Sequence, residues 1–468
     1  MVMRGRMIAT AVATAMMCAS LLADIPESVD VLVLGGTVRG VSAAVAAKEA
    51  GANVYLVAPR PYLGEDIAGK LRLKKPAGEL GPICSAIYDP KGREGCEYVF
   101  GDTTPAQTKK ALDRALLDAG VPFITWTVGT EVLKDAQGRD SGAVVVNRNG
   151  ARTIRAKAVV DARDRIGSLE RGEYPFVRYI ISGEAPKSDR VKATAVSDAI
   201  VVKEGAKGPF QSKNQPKEIA ARLWKCEMTL PVADGSARSL AEAEQLARDL
   251  TWTPTQVDSA DSLVFGVDAY DASAEERAGR ELGQKAAEAA KGAAGPLPAA
   301  LAELPVIAEC DVFVAGAVTG GAPAAIAAAR AGAKTIVAEY LPRMGGTMTD
   351  GLIGLYCYGL RIGFTAELDR GVHDFGAIYG QSKAEWMRAE ARKAGAELWF
   401  GALVCGVRKE GSAIVAVEVA FQDGTHGLVK TRAAVDATGN ADLAAFAGEE
   451  TEFIDATELS LQIGRAHV

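Results

Sequence analysis

The sequence predicts an α/β protein that contains two homologous modules with an α+β segment between them. Three observations lead to this fold class. Residues 310–346, "CDVFVAGAVTGGAPAAIAAARAGAKTIVAEYLPRMGG", have the pattern of a strand, a glycine-bearing turn, a helix of small residues and a second strand. Residues 30–65 repeat this order, and residues 173–305 show a different succession of strands and helices.

The two copies align without gaps over residues 30–65 and 311–346. The similarity continues through a helix and a strand, "TPAQTKKALDRALLDAGVPFIT" and "SKAEWMRAEARKAGAELWFG", and then through a β-meander. We therefore expect a first module over residues 28–172, an inserted substrate-type domain with a linker over 173–305, and a second module over 306–462. The matched landmarks are Asp30 with Asp311, Gly35 with Gly316, Gly40 with Gly321, Gly51 with Gly332 and Gly64 with Gly345.

Length and composition are those of a globular protein with more than one domain. The chain has 468 residues, of which 48% are hydrophobic and 24% are charged. The net charge of −6 and the absence of a dense basic stretch argue against nucleic acid as a partner. The high glycine count of 50 suits tight turns and closely packed helices.

Residues 1–23 have the pattern of a secretory signal peptide. Arg4 and Arg6 precede an apolar run from Met7 to Ala23, and polar residues follow. We expect export to the periplasm or the extracellular space; a disordered start or a misassigned initiator is the alternative. No other segment is long and apolar enough to predict a membrane span.

The last residues, "QIGRAHV" (462–468), back-translate to a common sequencing-adapter sequence. We expect that the reading frame is truncated, that the second module is incomplete, and that residues 463–468 are a non-native tail. A genuine polar tail is the alternative.

The turn that opens the second module has two of the three glycines of a Rossmann-like, dinucleotide-binding βαβ unit. Gly316 permits the tight turn, Gly321 permits close packing of helix on strand, and Gly320 adds freedom beside them. Val318 stands where a middle glycine would let a phosphate approach the backbone. We expect free N–H groups and the helix dipole to bind a pyrophosphate here with reduced affinity.

Further residues at suitable separations indicate a nucleotide site in the second module. Glu339 ends the second strand, where a carboxylate accepts hydrogen bonds from adenosine ribose hydroxyls and disfavours a 2′-phosphate. Gly345 and Gly346 let the next loop lie against a flat cofactor. The Asp436-Ala-Thr-Gly turn follows a buried strand, and Asp442 lies shortly after it, within reach of a ribityl or phosphate group.

With these motifs the chain resembles the FAD-dependent oxidoreductase family of glutathione-reductase-type flavoproteins, in particular its long, duplicated bacterial members. The resemblance implies two Rossmann-like FAD/NAD(P)-binding modules of three-layer ββα architecture, with FAD as the cofactor and the flavin ring near residues 346–354. The FAD-binding residues that it implies are Gly316, Ala317, Val318, Gly320, Gly321, Glu339, Arg343, Gly345, Gly346, Thr347, Val404, Ala437, Thr438, Gly439 and Asp442.

The first module departs from the family pattern. Thr37 occupies the middle-glycine position, Ala58 replaces the ribose-binding glutamate, and Glu65 replaces a loop glycine. Asp161-Ala-Arg-Asp replaces Asp-Ala-Thr-Gly, and the added negative charge opposes a pyrophosphate unless arginines neutralise it. We expect a degenerate module that packs against the second one or shapes its substrate site. A second FAD, or an altered ligand-binding loop at "PRPYLGEDIAGKLRL" (59–73), remains open.

We therefore expect an FAD-dependent oxidoreductase that transfers hydride between flavin and an unidentified small organic substrate. The alternatives are a non-catalytic duplicated scaffold that binds a nucleotide or a partner, and an NAD-linked oxidoreductase. No pattern identifies a catalytic acid or base or predicts a metal site, and the oligomeric state stays open. His426 falls in a predicted hairpin turn, where we expect it to face solvent. Cys84 and Cys96 are close enough in sequence to bridge a local loop, although unpaired thiols are the preferred interpretation.

Overall fold

The structure, a computed structural model, describes residues 25–96, 99–164, 169–204, 217–266, 268–291, 303–351, 353, 360–376 and 379–452. The predicted signal peptide (1–23) and the predicted non-native tail (463–468) lie outside the described residues. Three β-sheets, with helices packed on them, make up the described part of the chain. This arrangement confirms the predicted α/β class.

The first sheet combines parallel strands with an antiparallel meander. Its strands are β1 (Ser28–Leu34), β2 (Val54–Val57), β3 (Phe123–Ile124), β4 (Val128–Lys134), β5 (Asp140–Asn147) and β6 (Gly150–Asp161). Their order across the sheet is β3-β2-β1-β6-β5-β4. Strands β3, β2, β1 and β6 run parallel, whereas β6, β5 and β4 form the meander. All four residues of β2 are buried, as expected for a parallel strand that is covered on both faces.

The second sheet belongs to the segment between the modules and is antiparallel. Its strands are β7 (Gly172–Ser182), β8 (Val191–Ala195), β9 (Ile200–Glu204), β10 (Lys217–Val232), β11 (Gln256–Ser259) and β12 (Val264–Phe265). Strands β11, β7, β10 and β8 are neighbours in that order, while β12 pairs with β7 and β9 pairs with β10.

The third sheet repeats the topology of the first. Its strands are β13 (Val306–Ala315), β14 (Thr335–Glu339), β15 (Glu397–Phe400), β16 (Ala402–Glu410), β17 (Ala413–Phe421) and β18 (His426–Asp436). They lie in the order β15-β14-β13-β18-β17-β16. The register repeats as well, because Leu34 pairs with Asp161 in the first sheet and Ala315 pairs with Asp436 in the third. The parallel strands therefore bring the turn after β1 or β13 beside the turn after β6 or β18.

The helices of the described residues connect and cover these sheets. They are α1 (Val38–Glu49), α2 (Pro82–Ile87), α3 (Pro105–Asp118), α4 (Ala237–Thr251), α5 (Ala272–Ala290), α6 (Gly321–Arg330), α7 (Phe364–Phe375), α8 (Tyr379–Lys393) and α9 (Asp442–Ala447). A π-helical turn spans Glu65–Gly69, and 3-10 turns span Pro90–Arg93 and Gly346–Met348. Within the described part of the chain, every helix falls short of the length and apolar character needed to cross a membrane.

Helix α5 lies in the segment predicted as inserted, yet it packs against α1 of the first module. A Cβ on Gly279 would lie 2.3 Å from the carbonyl oxygen of Arg39, and a Cβ on Gly283 would lie 2.1 Å from that of Ala43. The two helices therefore approach to backbone contact, which only glycine allows at these positions. A 2.6 Å ion pair between Arg39 and Glu275 lies at the same contact.

Candidate functional site

The turn after β13 has the tight backbone geometry of a nucleotide-binding turn. Gly316 has a φ of +89°, and a Cβ there would lie 2.3 Å from the carbonyl oxygen of Ala437. A Cβ on Gly321 would lie 1.9 Å from the carbonyl oxygen of Gly316. Only glycine fits these two positions, because any side chain would collide with backbone.

Unpaired backbone donors lie at the start of α6. Among the described residues, no acceptor bonds to the N–H groups of Val318, Thr319 and Gly320. Thr319 and Gly320 are exposed, and a Cβ on Gly320 would contact nothing within 4 Å. These donors lie at the positive end of the helix dipole, so the position favours an anion.

Val318 packs against the loop that follows β14. A Cβ added to Gly346 would lie 2.7 Å from Val318 Cγ1, so the valine side chain covers this glycine directly. The N–H of Gly345 donates to the carbonyl oxygen of Ala317 at 2.8 Å, and the Thr319 hydroxyl donates to that of Gly345 at 3.3 Å. The turn and the loop therefore form one unit, with Thr319 on its exposed side.

Glu339 closes β14 with its carboxylate inside the protein, where it is 1% exposed. Its Oε2 accepts a hydrogen bond from the N–H of Ala317 at 2.6 Å, and its Oε1 accepts one from the N–H of Leu341 at 2.9 Å. Burial raises the pKa of Glu339 to about 7, and the two backbone donors oppose that rise. Each carboxylate oxygen has a second lone pair, so Glu339 can still accept a hydrogen bond from a hydroxyl group.

The turn after β18 is held by its own side chains and by an arginine of the first module. Asp436 Oδ1 accepts from the N–H and the hydroxyl of Thr438 at 3.0 and 2.8 Å. Arg148, between β5 and β6, donates to Asp442 Oδ2 at 2.6 Å and to the carbonyl oxygen of Thr438 at 3.1 Å. This ion pair neutralises Asp442 and so lowers its repulsion for an anion bound nearby.

Aromatic residues of the two modules meet directly after Glu339. The ring centroids of Trp126 and Tyr340 lie 4.5 Å apart, and the Arg148 guanidinium lies 5.4 Å from the Tyr340 centroid. The sequence gives no signal for Trp126 or Arg148, because their position depends on how the modules pack. The only feature of this contact that the sequence indicates is an aromatic residue, Tyr340, directly after Glu339.

Three other residues that the resemblance implies lie in different settings. Arg343 donates to Asp258 Oδ1 at 2.5 Å and to Asp350 Oδ1 at 2.9 Å, so its guanidinium already pairs with two carboxylates. Thr347 is exposed, and Val404 is buried within β16. Their contacts with a cofactor stay predictions, as do those of the other residues.

The corresponding turn of the first module is filled by the protein's own side chains. The N–H of Val38 donates to Asp66 Oδ2 at 3.1 Å, and the N–H of Gly40 donates to Thr37 Oγ1 at 3.1 Å. The Tyr270 hydroxyl donates to the same oxygen of Asp66 at 2.5 Å. A buried carboxylate thus lies at the start of α1, where the second module has unpaired donors, and this turn does not fit a pyrophosphate.

Other charged residues stand in the first module where the family pattern has different residues, and some of them form ion pairs. Arg163 Nη2 lies 2.6 Å from Asp161 Oδ2, and Lys70 forms an ion pair with Asp164. Glu65 is 8% exposed, and burial, together with the negative charge of Asp164, raises its pKa to about 8.

A buried cation lies beneath the Gly346–Met348 turn. Lys383 on α8 is 1% exposed, and its Nζ lies 3.4 Å from Met348 Sδ. Burial lowers the pKa of Lys383 to about 8. The sequence does not single out this residue, because a lysine on an amphipathic helix ordinarily faces water.

The prediction that His426 faces solvent is wrong. Its side chain is 10% exposed, and its Nε2 lies 2.9 Å from Glu418 Oε1. The hairpin turn ends just before His426, which begins β18 opposite Ala420. Within the described residues, Cys405, Glu418 and His426 form a group whose potential metal-ligand atoms lie within 4.8 Å of one another.

Cys84 and Cys96 are both free thiols, Cys84 buried and Cys96 exposed. The local disulfide that the sequence left open is therefore not formed in this structure.

Comparison with known proteins identifies both modules with one family. Residues 30–169 and 311–459, more than half of the chain, match the family model described as FAD dependent oxidoreductase. A search of curated proteins gives no match.

Solved structures resemble parts of the chain weakly. THI4 from Thermovibrio ammonificans is 18% identical over 30% of this chain and 61% of that chain, with a TM-score of 0.25. A geranylgeranyl bacteriochlorophyll reductase-like protein from Thermoplasma acidophilum is 15% identical over 56% of this chain and 79% of that chain, with a TM-score of 0.32. A flavoprotein/dehydrogenase from Cytophaga hutchinsonii is 14% identical over 57% of this chain and 78% of that chain, with a TM-score of 0.29. This chain thus covers less than two thirds of THI4, and likenesses of this size do not indicate a shared activity.

Proposed function

Because the chain belongs to the FAD-dependent oxidoreductase family, we propose that it holds FAD in its second module and oxidises or reduces a small organic substrate. FAD is the cofactor of this family. When bound, the flavin supplies hydride and electron transfer, and the protein supplies binding, orientation and electrostatics.

One observation supports the second module as the FAD site. Among the described residues, the N–H groups of Val318, Thr319 and Gly320 have no acceptor and lie beside the buried carboxylate of Glu339, whereas in the first module the N–H of Val38, equivalent to that of Thr319, donates to Asp66. The donors suit a pyrophosphate, and the carboxylate suits a hydroxyl-bearing sugar. The residues present therefore fit FAD, and the contact of Val318 with Gly346 weakens the fit without blocking the exposed donors.

In this proposal each part of the site has a separate task. The amides of residues 318–320 bind the pyrophosphate, and Glu339 accepts from the adenosine ribose. Arg148 keeps Asp442 neutralised, so this acid does not repel the phosphates. Lys383 holds a positive charge beneath the Gly346–Met348 turn, where the family resemblance puts the flavin ring.

The test is flavin content followed by reduction. The full chain is purified, its visible flavin absorption is recorded, and the released cofactor is identified and counted. We expect FAD in the wild type and its loss in Glu339→Ala, with Glu309→Ala, the same change at an exposed glutamate of the second module, as the control that leaves FAD content unchanged.

Turnover is then tested by adding candidate organic donors without oxygen and following the loss of the flavin absorption. A colourless protein that takes up no added FAD would contradict the proposal. Retained nicotinamide without flavin would point to an NAD-linked enzyme instead.

A further inference from the structure

A cleft lies where the first module, the inserted segment and the second module meet. It encloses about 140 Å³. The first module contributes Arg60 and Glu65, the inserted segment contributes Phe176 and helix α4, and the second module contributes Phe400 and Phe421 among others. Arg60 and Glu65 belong to the segment 59–73, which departs from the family pattern.

Arg60 is the first reason to regard this cleft as a binding site. Arg60 is 6% exposed and lines the cleft. Among the described residues, no hydrogen bond or ion pair engages its guanidinium. Burial lowers the pKa of Arg60, but the acidic groups around it more than offset that effect, so its pKa lies above the usual value; these groups are Tyr62, Asp261, Glu65 and Glu244. Because none of them bonds directly to the guanidinium, an anion that entered the cleft would gain a charge-assisted contact.

Glu65 is the second reason. It is 8% exposed, lines the same cleft, and likewise has no hydrogen-bond partner among the described residues. Its pKa of about 8 means that it carries a proton at neutral pH. A protonated carboxyl group can donate a hydrogen bond to an anion instead of repelling it. Arg60 and Glu65 thus offer donors at one place.

The remaining charged groups limit the ligand to a single negative charge. Lys70 is paired with Asp164, and Glu244 is paired with Arg248, so Arg60 is the one cation without an ion-pair partner among the described residues that line the cleft. Asp164, Glu244 and Asp423 all line the cleft, and their carboxylates would repel a dianion. A monoanion matches the one unpaired charge, that of Arg60.

The apolar side chains that line the cleft indicate that the uncharged part of the ligand is apolar. Phe176, Leu240, Leu263, Phe400 and Phe421 supply apolar surface. A cavity of roughly 150 Å³ accommodates benzene, so this cleft has room for about six non-hydrogen atoms. A short aliphatic chain would displace water from these side chains, which is favourable.

We propose that this cleft binds a small aliphatic monocarboxylate, with its carboxylate on Arg60 and Glu65 and its chain against Leu240, Phe400 and Phe421. The gap-free alignment of the modules places Arg60 and Glu65 opposite Leu341 and Gly346. The first module therefore carries a polar anion receptor at loop positions that are apolar or lack a side chain in the FAD-binding module. Phe400 of the cleft pairs in register with Glu339 of the proposed FAD site, so the two sites are neighbours, but the carboxylate proposal is argued from the cleft residues and does not require bound FAD.

Calorimetric titration of the full chain with butyrate tests the proposal, with butyramide as the uncharged ligand of equal size and inorganic phosphate as the alternative anion. We expect butyrate to bind and the other two to bind at least tenfold more weakly. Arg60→Met should weaken butyrate binding at least tenfold, and Arg60→Lys less. Glu65→Gln keeps a neutral hydrogen-bond donor and should bind near pH 7 as the wild type does.

Ala241→Leu provides a second, independent variant, because Ala241 lines the cleft from helix α4 and a larger side chain fills it while Arg60 stays in place. We expect this variant to lose butyrate binding and to keep the wild-type circular dichroism spectrum. Failure of the wild type to bind butyrate would mean that the cleft holds only water and would overturn the proposal. Equal binding of butyramide or phosphate, or unchanged butyrate binding in Arg60→Met, would overturn it as well.

Discussion

Val318 and Glu339 have opposite effects on the proposed FAD site. The carboxylate of Glu339 is fixed by two backbone N–H groups, so it is already oriented for a ligand hydroxyl. The side chain of Val318 lies against Gly346 and occupies space that a middle glycine would leave open. The proposed site is therefore preorganised to bind the ribose of FAD, and Val318 narrows it where the pyrophosphate would lie.

Replacing Val318 by glycine should strengthen FAD binding. The change removes the contact with Gly346 and lets the pyrophosphate approach the amides at the start of α6, which we expect to lower the Kd for FAD about tenfold, or about 1.4 kcal/mol. Quenching of flavin fluorescence measures this Kd. Thr37→Gly, the same change at the equivalent position of the first module, is the control and should leave the Kd unchanged. A higher Kd for FAD in Val318→Gly than in the wild type would show that the valine side chain favours FAD binding.

Glu65 should make the protein less stable at alkaline pH. Its pKa in the folded protein is about 8, above its ordinary value of 4.5, so the unfolded chain loses this proton first. The stabilising contribution is complete below pH 4.5 and is lost as the pH rises toward 8. Between pH 6 and pH 9 the free energy of unfolding of the wild type should fall by on the order of 2 kcal/mol more than that of Glu65→Gln.

Urea denaturation at the two pH values measures this difference. Parallel pH profiles for the wild type and Glu65→Gln would rule out a protonated Glu65 in the folded protein.

Among the helices, the N-termini of α1 and α6 differ although the two modules share their fold. In α1 the N–H of Val38 donates to Asp66, whereas the equivalent N–H of Thr319 before α6 has no acceptor among the described residues. The underlying strand, turn and helix are the same in both, down to glycines that approach the carbonyl oxygens of Ala162 and Ala437. Whether the turn of a module can bind an anion therefore depends on the side chains that follow its second strand, β2 or β14.

The close packing of α6 on its turn can be tested at two neighbouring glycines. Gly321→Ala would place a Cβ 1.9 Å from the carbonyl oxygen of Gly316, and the collision should lower the free energy of unfolding by about 3 kcal/mol. Gly320→Ala is the matched control, because its Cβ would contact nothing within 4 Å. Thermal unfolding of both variants gives the comparison, and equal midpoints would contradict the close approach of the helix to the turn.

The elements of both modules could be predicted from the sequence because their signals are local. Buried strands, a glycine turn and a helix of small residues follow one another directly around Gly316 and Gly35, and the repeat itself reveals the duplication. Helix α5 illustrates what could not be predicted, since its contact with α1 through Gly279 and Gly283 joins residues far apart in the chain. The pairing of Arg343 with Asp258 could not be predicted for the same reason. His426 was placed wrongly because the hairpin turn ends just before it, so its side chain lies in the sheet beside Glu418.

At the scale of the whole molecule, the first module completes the surroundings of the second. Trp126 and Arg148 of the first module contact Tyr340, and Arg148 also bonds to Asp442. The inserted segment contributes Asp258, which pairs with Arg343. The first module is therefore part of the structure around the proposed FAD site.

Arg148→Met should weaken FAD binding although Arg148 belongs to the other module. The change leaves Asp442 without its cation, and we expect the Kd for FAD to rise about fivefold, or about 1 kcal/mol. Arg432→Met is the control, because Arg432 is a highly exposed arginine of the second module with a single long contact to Asp311. An unchanged Kd for FAD in Arg148→Met would show that Arg148 of the first module does not contribute to FAD binding by the second.

We expect the second module alone to bind FAD. The number of FAD molecules per chain, measured in the purified protein after saturation with FAD and removal of the excess, tests this expectation. One FAD per chain should be found in the wild type, and none in Glu339→Ala. Two FAD molecules per chain, or none in the wild type, would show that the expectation is wrong.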